Sequence, residues 1–180
     1  SESAYGFFWA THPFLPHYFP VDEQHPLLPQ ETYGASKQLN ELTAAMFYRN
    51  SGIRIFPLRF ALIIGEQEWP RIVETMRRDP AHFRRNFYSY VDARDAASAC
   101  RLALEADGGE PEPLNITHDE TLSELETKEL LAKYFPEVQE IRGELPGYSA
   151  LFSNKRAKEK LGWQPVHSWR SFAAKEQTGG

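Results

Sequence analysis

The stretch FYSYVDARDAASACRLAL, residues 87–104, decides the fold class. Its opening, Phe87 to Val91, is aromatic and apolar and reads as a short strand. Asp92 follows as a helix cap, and Ala93, Ala96, Ala97, Cys100 and Leu104 then recur at helical spacing on one face. That spacing predicts Cys100 in the packing, away from redox chemistry, with Gly108-Gly109 as the helix stop. Downstream, PLNIT at 113–117 reads as a further strand and 121–135 as a helix with Leu122, Leu125, Glu129 and Leu130 in register. Ser153 caps a last short helix that ends at Gly162. Upstream, IRIFPLRF at 53–60 runs on through Ala61–Ile64 to Gly65 as a buried parallel strand. Before it, 29–49 predicts an amphipathic helix carrying Leu39, Leu42, Met46 and Arg49, stopped by Asn50-Ser51-Gly52. A short helix covers Arg71–Arg78. Strands alternating with helices make an α/β pattern. The opening 31 residues, punctuated by Pro13, Pro16, Pro20, Pro26 and Pro29, are instead an ordered surface loop near a site.

Composition bounds the partners. The chain has 180 residues, 41% hydrophobic, 13% aromatic and 25% charged, with net charge −5. This suits one compact acidic domain with a real core, and such aromatic content is incompatible with a disordered tail. The negative balance argues against a nucleic-acid surface. The lone Cys100 forms no internal disulfide, so a reducing cytoplasm is the expected compartment. The longest apolar run, Phe60–Ile64, falls far short of the roughly 18 residues of a membrane helix, and no export signal opens the chain. His12, His17 and His25 share the loop without metal-ligand spacing, so no metal site is expected; they line a substrate pocket with Phe7, Phe8 and Trp9 or sit on the surface.

Tyr33 and Lys37 stand four apart at the start of the 29–49 helix, so both leave one face. An ammonium near a phenol favours the phenolate and draws its pKa from about 10 towards the range of a general base. The spacing alone fits a half-buried tyrosine and a solvated lysine equally well. The run Arg71, Arg77, Arg78, Arg84 and Arg85 is open in the same way: guanidinium forks pair with phosphate, while such a run is commonly a solvated face. Arg71 and Arg85 are the candidates for gripping substrate.

The surroundings narrow this. Tyr33-Gly34-Ala35-Ser36-Lys37 resembles the Y-G-x-S-K signature of the extended short-chain dehydrogenase/reductase family, also called the NAD-dependent epimerase/dehydratase family. Ser1-Glu2-Ser3-Ala4-Tyr5-Gly6 resembles its S-x-x-x-Y-G segment, Leu58-Arg59-Phe60 with Gly65 its L-R segment, and Tyr90-Val91-Asp92 through Ala97 its V-x-D-x-A segment. Asn115-Ile116 and Leu161-Gly162-Trp163-Gln164-Pro165 match its late signatures. The resemblance implies the C-terminal part of a Rossmann-like doubly wound parallel sheet, 1–65 and 87–117, with a small α/β substrate-binding region, 66–86 and 118–180. It implies Tyr33 as general acid or base, Lys37 on the nicotinamide ribose of NAD or NADP, and Ser1 on the same substrate oxygen. It also implies a cytoplasmic oxidoreductase or isomerase acting on a small molecule such as a nucleotide-sugar, and a homodimer paired through helix 30–50.

Three departures qualify that expectation. The family's opening strand, glycine-rich turn and helix, which hold the cofactor pyrophosphate, have no counterpart here. The chain therefore reads as a C-terminal half that binds NAD poorly alone and leaves apolar surface uncovered, or as a non-catalytic binding or regulatory module of the same fold. Glu2 and Ser3 stand where the family's dehydratases carry Asp-Glu, which disfavours dehydration. Ala61, Leu62 and Tyr88 replace residues that grip a sugar-nucleotide diphosphate, which makes that substrate less secure.

Overall fold

The computed structural model describes residues 1–107 and 110–178, so the expected stop at Gly108-Gly109 lies outside the described residues. The strand expected over 53–64 forms as β1 (Leu58–Phe60) and β2 (Leu62–Ile64), which change partner at Ala61. β1 pairs in parallel with β4 (Leu114–Ile116), Leu58 opposite Leu114, while β2 pairs in parallel with β3 (Tyr90–Asp92), Leu62 opposite Tyr90. Residues 53–57 form no ladder, and Ile53 and Ile55 are exposed. Pro57 O still accepts from Leu114 N at 2.9 Å, so the pairing with β4 reaches back only to the edge of β1, and apolar composition alone does not extend it.

The helices are α1 (Thr32–Ser51), α2 (Trp69–Arg78), α3 (Ala93–Glu105), α4 (Thr127–Tyr134), α5 (Lys155–Leu161) and α6 (Trp169–Thr178). None among the described residues is long and apolar enough to cross a membrane. Asp92 caps α3 by accepting from Arg94 N at 2.9 Å. The inner face of α3 is Asp95, Ala96 and Ala99, whereas Cys100 is exposed and Leu104 is 88% exposed. The expected packing role of Cys100 is therefore wrong. The helix is turned so that the buried Asp95 carboxylate can accept from Val166 N and His167 N at 3.0 and 2.9 Å, and hydrophobic spacing carries no trace of such a polar tie. α4 starts six residues later than expected because 121–127 is held in long-range backbone bonds, from Thr121 N to Tyr148 O, Leu122 N to Tyr88 O and Thr127 N to Gly147 O. α5 is capped at Asn154, with Ser153 Oγ accepting from Lys155 N, and ends at a left-handed Gly162.

Two cores result. One is aromatic, built on Tyr5, Phe7, Phe19, Trp69, Phe87 and Phe135 between the opening loop, α2 and the turn before β3. The other packs Val91, Ala99, Leu114, Ile116 and Trp163 beneath α3 and α5. α1 lies outside both, burying only Gly34 and Ala44, and its expected inward stripe of Leu39, Leu42 and Met46 faces outward.

Candidate active site

The site forms where the first residues meet the first turn of α1. Ser1 Oγ accepts from Ser3 N at 3.3 Å and so caps a 3-10 turn, Glu2–Tyr5, while Ser1 N lies 3.0 Å from Leu58 O beside β1. Gly6 closes that turn at φ 91°, where a Cβ would come within 2.3 Å of Leu28 O. Glu31 caps α1 by accepting from Tyr33 N at 2.6 Å and Gly34 N at 2.5 Å. Next to Tyr33 the helix lies so close to the opening turn that a Cβ on Gly34 would fall 2.5 Å from Ser3 O. A residue without a side chain is therefore what lets the first turn of α1 approach the opening turn.

Ser1 and Tyr33 line one open chamber of about 780 Å³. Phe8, Trp9, Leu62 and Ile63 give it apolar walls, and Glu2, Glu31 and Asn86 supply further polar groups. Lys37 does not line it, but its Nζ stands 4.7 Å from the centre of the Tyr33 ring, as the four-residue spacing predicts. The phenol is 49% exposed. Among the described residues Lys37 forms no ion pair, so its ammonium is available to a ligand.

Two polar groups in this chamber were not assigned a role by sequence reasoning. Glu2 Oε2 accepts from Ser89 Oγ at 2.8 Å. Burial pushes the Glu2 carboxyl up to about 8, with the Ser89 hydrogen bond opposing the shift, so Glu2 is mostly protonated at neutral pH. Asn86 donates from Nδ2 to Ser89 O at 3.0 Å, which leaves its Oδ1 buried without a hydrogen-bond partner. Glu2 lies 87 residues from the Ser89 it meets, and no local spacing brings it together with Asn86 in one chamber.

The remaining candidates separate. Arg71 projects from the exposed side of α2 and pairs with Glu68 at 3.4 Å. Arg85 lines a neighbouring cavity with Phe7, whereas Phe8 and Trp9 line the main chamber. His12 and His17 are exposed. His25 is buried, its Nε2 accepting from His17 N and its Nδ1 2.9 Å from Pro26 O. Burial lowers its pKa and keeps the ring neutral in a structural role.

Whether these residues suit a dinucleotide divides along its length. The exposed phenol, the unpaired ammonium and the open apolar wall at Leu62 and Ile63 fit a nicotinamide and its ribose. The sequence holds no glycine-rich turn for the pyrophosphate.

The chain has the Rossmann-like α/β fold of solved short-chain dehydrogenase/reductase structures. No protein-family model matches it. A short-chain dehydrogenase/reductase superfamily protein from Agrobacterium tumefaciens, solved with NAD, matches 99% of this chain and 67% of its own length at TM-score 0.61 and 20% identity. UDP-N-acetylglucosamine 4-epimerase from Bacillus cereus matches 94% of this chain and 60% of its own at TM-score 0.57 and 20% identity. A curated protein of Methanocaldococcus jannaschii named "Putative UDP-glucose 4-epimerase" is 39% identical over 56 residues, 31% of this chain and 18% of that protein. The chain thus spans well under the full length of the curated relative and roughly half to two thirds of the solved ones.

Proposed function

We propose that this chain is the C-terminal portion of an NAD(P)-dependent oxidoreductase or epimerase of the extended short-chain dehydrogenase/reductase family. It would act on a hydroxyl or carbonyl carbon of a sugar or sugar-nucleotide-like substrate. The observation that carries the reading is the shared chamber of Ser1 and Tyr33, with the Lys37 ammonium 4.7 Å from the Tyr33 ring. A substrate oxygen at that point receives a hydrogen bond from Ser1 Oγ and exchanges a proton with the Tyr33 hydroxyl. Lys37 supports the phenolate electrostatically and reaches the ribose hydroxyls of the cofactor. Bound NAD(P) supplies hydride acceptance and return at the substrate carbon. Leu62 and Ile63 would offer an apolar surface to the nicotinamide when the cofactor is bound.

The exposed Leu39, Leu42, Met46 and Phe47 make α1 apolar on a side that none of the described residues covers. Contiguous exposure of this kind is unusual on a free surface, and a homodimer through α1 is the arrangement we favour.

The test is hydride transfer in the full-length protein, followed at the nicotinamide absorbance. Tyr33→Phe is expected to lower the rate by more than roughly tenfold. An unchanged rate with a competent substrate ends the assignment, and the reading of the chain as a binding or regulatory module then takes its place.

A further inference from the structure

The chamber that holds Ser1 and Tyr33 carries a charge that the proposed chemistry does not use. Among the described residues lining it none has a basic side chain, and its two carboxyl groups belong to Glu2 and Glu31. Burial keeps Glu2 mostly neutral at pH 7, so the charge is that of Glu31. Glu31 stands at the N-cap of α1, a position that Ser, Thr, Asp and Asn favour and that a neutral hydroxyl can fill. Its Oε2 accepts from Tyr33 N at 2.6 Å and its Oε1 from Gly34 N at 2.5 Å. Among the described residues it forms no ion pair. Lys37, on the same helix, lies against the Tyr33 ring and outside the chamber lining.

Two consequences decide what the chamber accepts. A carboxylate offers about four lone-pair directions, and the helix cap occupies two of them, so ligand hydroxyl groups have acceptors left to meet. A ligand carboxylate in the same space meets a like charge instead. The dipole of α1 is worth about half a positive charge at this end and leaves roughly half of the Glu31 charge uncompensated. At a separation of about 6 Å and an effective dielectric constant of about 20, that remainder weakens the binding of a carboxylate by roughly tenfold. Phe8, Leu62 and Ile63, the apolar side chains around it, bring neither charge nor donor to offset the repulsion.

We propose that Glu31 is a specificity-determining residue of this site: its carboxylate makes the chamber select an uncharged, hydroxyl-bearing ring and reject one that carries a carboxylate. The inference rests on the function proposed above for the nature of the ring, and it discriminates by repulsion as well as by attraction.

The probes are UDP-glucose and UDP-glucuronate, titrated calorimetrically against the full-length protein with NAD present. The two differ only in a hydroxymethyl group against a carboxylate, so the contribution of the shared nucleotide cancels in the ratio of their affinities. We expect UDP-glucose to bind at least roughly tenfold tighter. Glu31→Ser keeps a favoured helix cap and removes the charge, and it should bring the two ligands to parity or reverse their order, because the helix N-terminus then lacks its anion. Glu31→Asp keeps both cap and charge and should keep the preference. Thermal unfolding of both variants confirms that α1 is still formed.

Equal affinities in the parent protein, tighter binding of UDP-glucuronate, no binding of either ligand, or a ratio that Glu31→Ser leaves unmoved would each overturn the proposal. Binding is read without turnover. Failure of the catalytic reading therefore shows as an intact hydride-transfer rate in Tyr33→Phe, whereas failure of the Glu31 assignment shows in the ratio of affinities alone.

Discussion

The Arg59–Glu41 pair offers the most quantitative test of how α1 is held in place. Arg59 on β1 donates from Nε and Nη2 to the two Glu41 carboxylate oxygens, both at 2.8 Å. Its Nη1 donates to the Tyr5 hydroxyl at 2.8 Å, and its guanidinium lies 4.7 Å from the Tyr5 ring centre. The two side chains are only 3% and 12% exposed. Two charges withdrawn from water this far are costly singly and tolerable together, so cutting Arg59→Met should leave the Glu41 carboxylate stranded at about 3 to 5 kcal/mol. Glu41→Leu strands the guanidinium at a similar cost. The double variant replaces the pair with apolar groups and should recover most of the loss, so that in a double-mutant cycle its cost falls below that of either single variant and far below their sum. Urea unfolding at neutral pH measures it, with a Tm fall of roughly 10 °C expected for either single variant. The exposed pair Arg101–Glu105, at 63% and 57%, is the control, and Arg101→Ala should cost under about 0.5 kcal/mol. Strict additivity of the two Arg59 and Glu41 substitutions, or a single-variant cost near that of the control, would falsify the account of α1 as anchored to the sheet through this pair.

Two further outcomes follow from the site. Glu2 titrates near 8 in the folded chain against 4.5 for the free group, so the folded state favours the neutral acid. Stability from this residue is therefore full below about 4.5, falls as pH rises towards 8 and is flat beyond. Glu2→Gln removes that dependence: relative to the parent, the variant should gain stability steadily between pH 5 and 8, by at most about 4 kcal/mol and by less because the carboxyl borders an open chamber. Parallel stability curves across that range would show that Glu2 ionises freely. Gly34→Ala sets a Cβ 2.5 Å from Ser3 O, which forces α1 away from the opening turn. Helix propensity alone would make this change stabilising by about 1 kcal/mol. We expect a net loss of at least about 1 kcal/mol in thermal unfolding together with reduced turnover, and a stabilised, fully active variant would contradict the close approach described here.

What could be read in the sequence follows the range of the interactions involved. Of the strand expected over Phe87–Val91 only Tyr90 and Val91 belong to β3, because Phe87 and Tyr88 take left-handed backbone, whereas the cap is legible because Asp92 acts on Arg94 N, two residues away, and the Tyr33–Lys37 pair because one helical turn brings them together. The apolar face of α3 was misplaced by Asp95, whose partners lie 71 and 72 residues downstream. α6 escaped notice for the same reason. Its anchors are Trp169 Nε1 donating to Thr121 O at 2.9 Å and Arg170 donating to Glu120 at 3.1 Å, neither of which leaves a periodic mark.

The two misread apolar stretches, 39–46 and 53–57, differ from these, because there the pattern was read correctly and the burial did not follow. Leu39 and Leu42 are 60% and 61% exposed, and Ile53 is 56% exposed. A helix that is apolar on more than its inward side is one whose second side is meant to be covered. The hydrophobic pattern reports the surfaces that a chain is built to bury in its complete assembly, whereas one chain's accessibility reports only what that chain covers. At α1 the two disagree on the helix that carries Tyr33 and Lys37, which is the face that the proposed homodimer would cover.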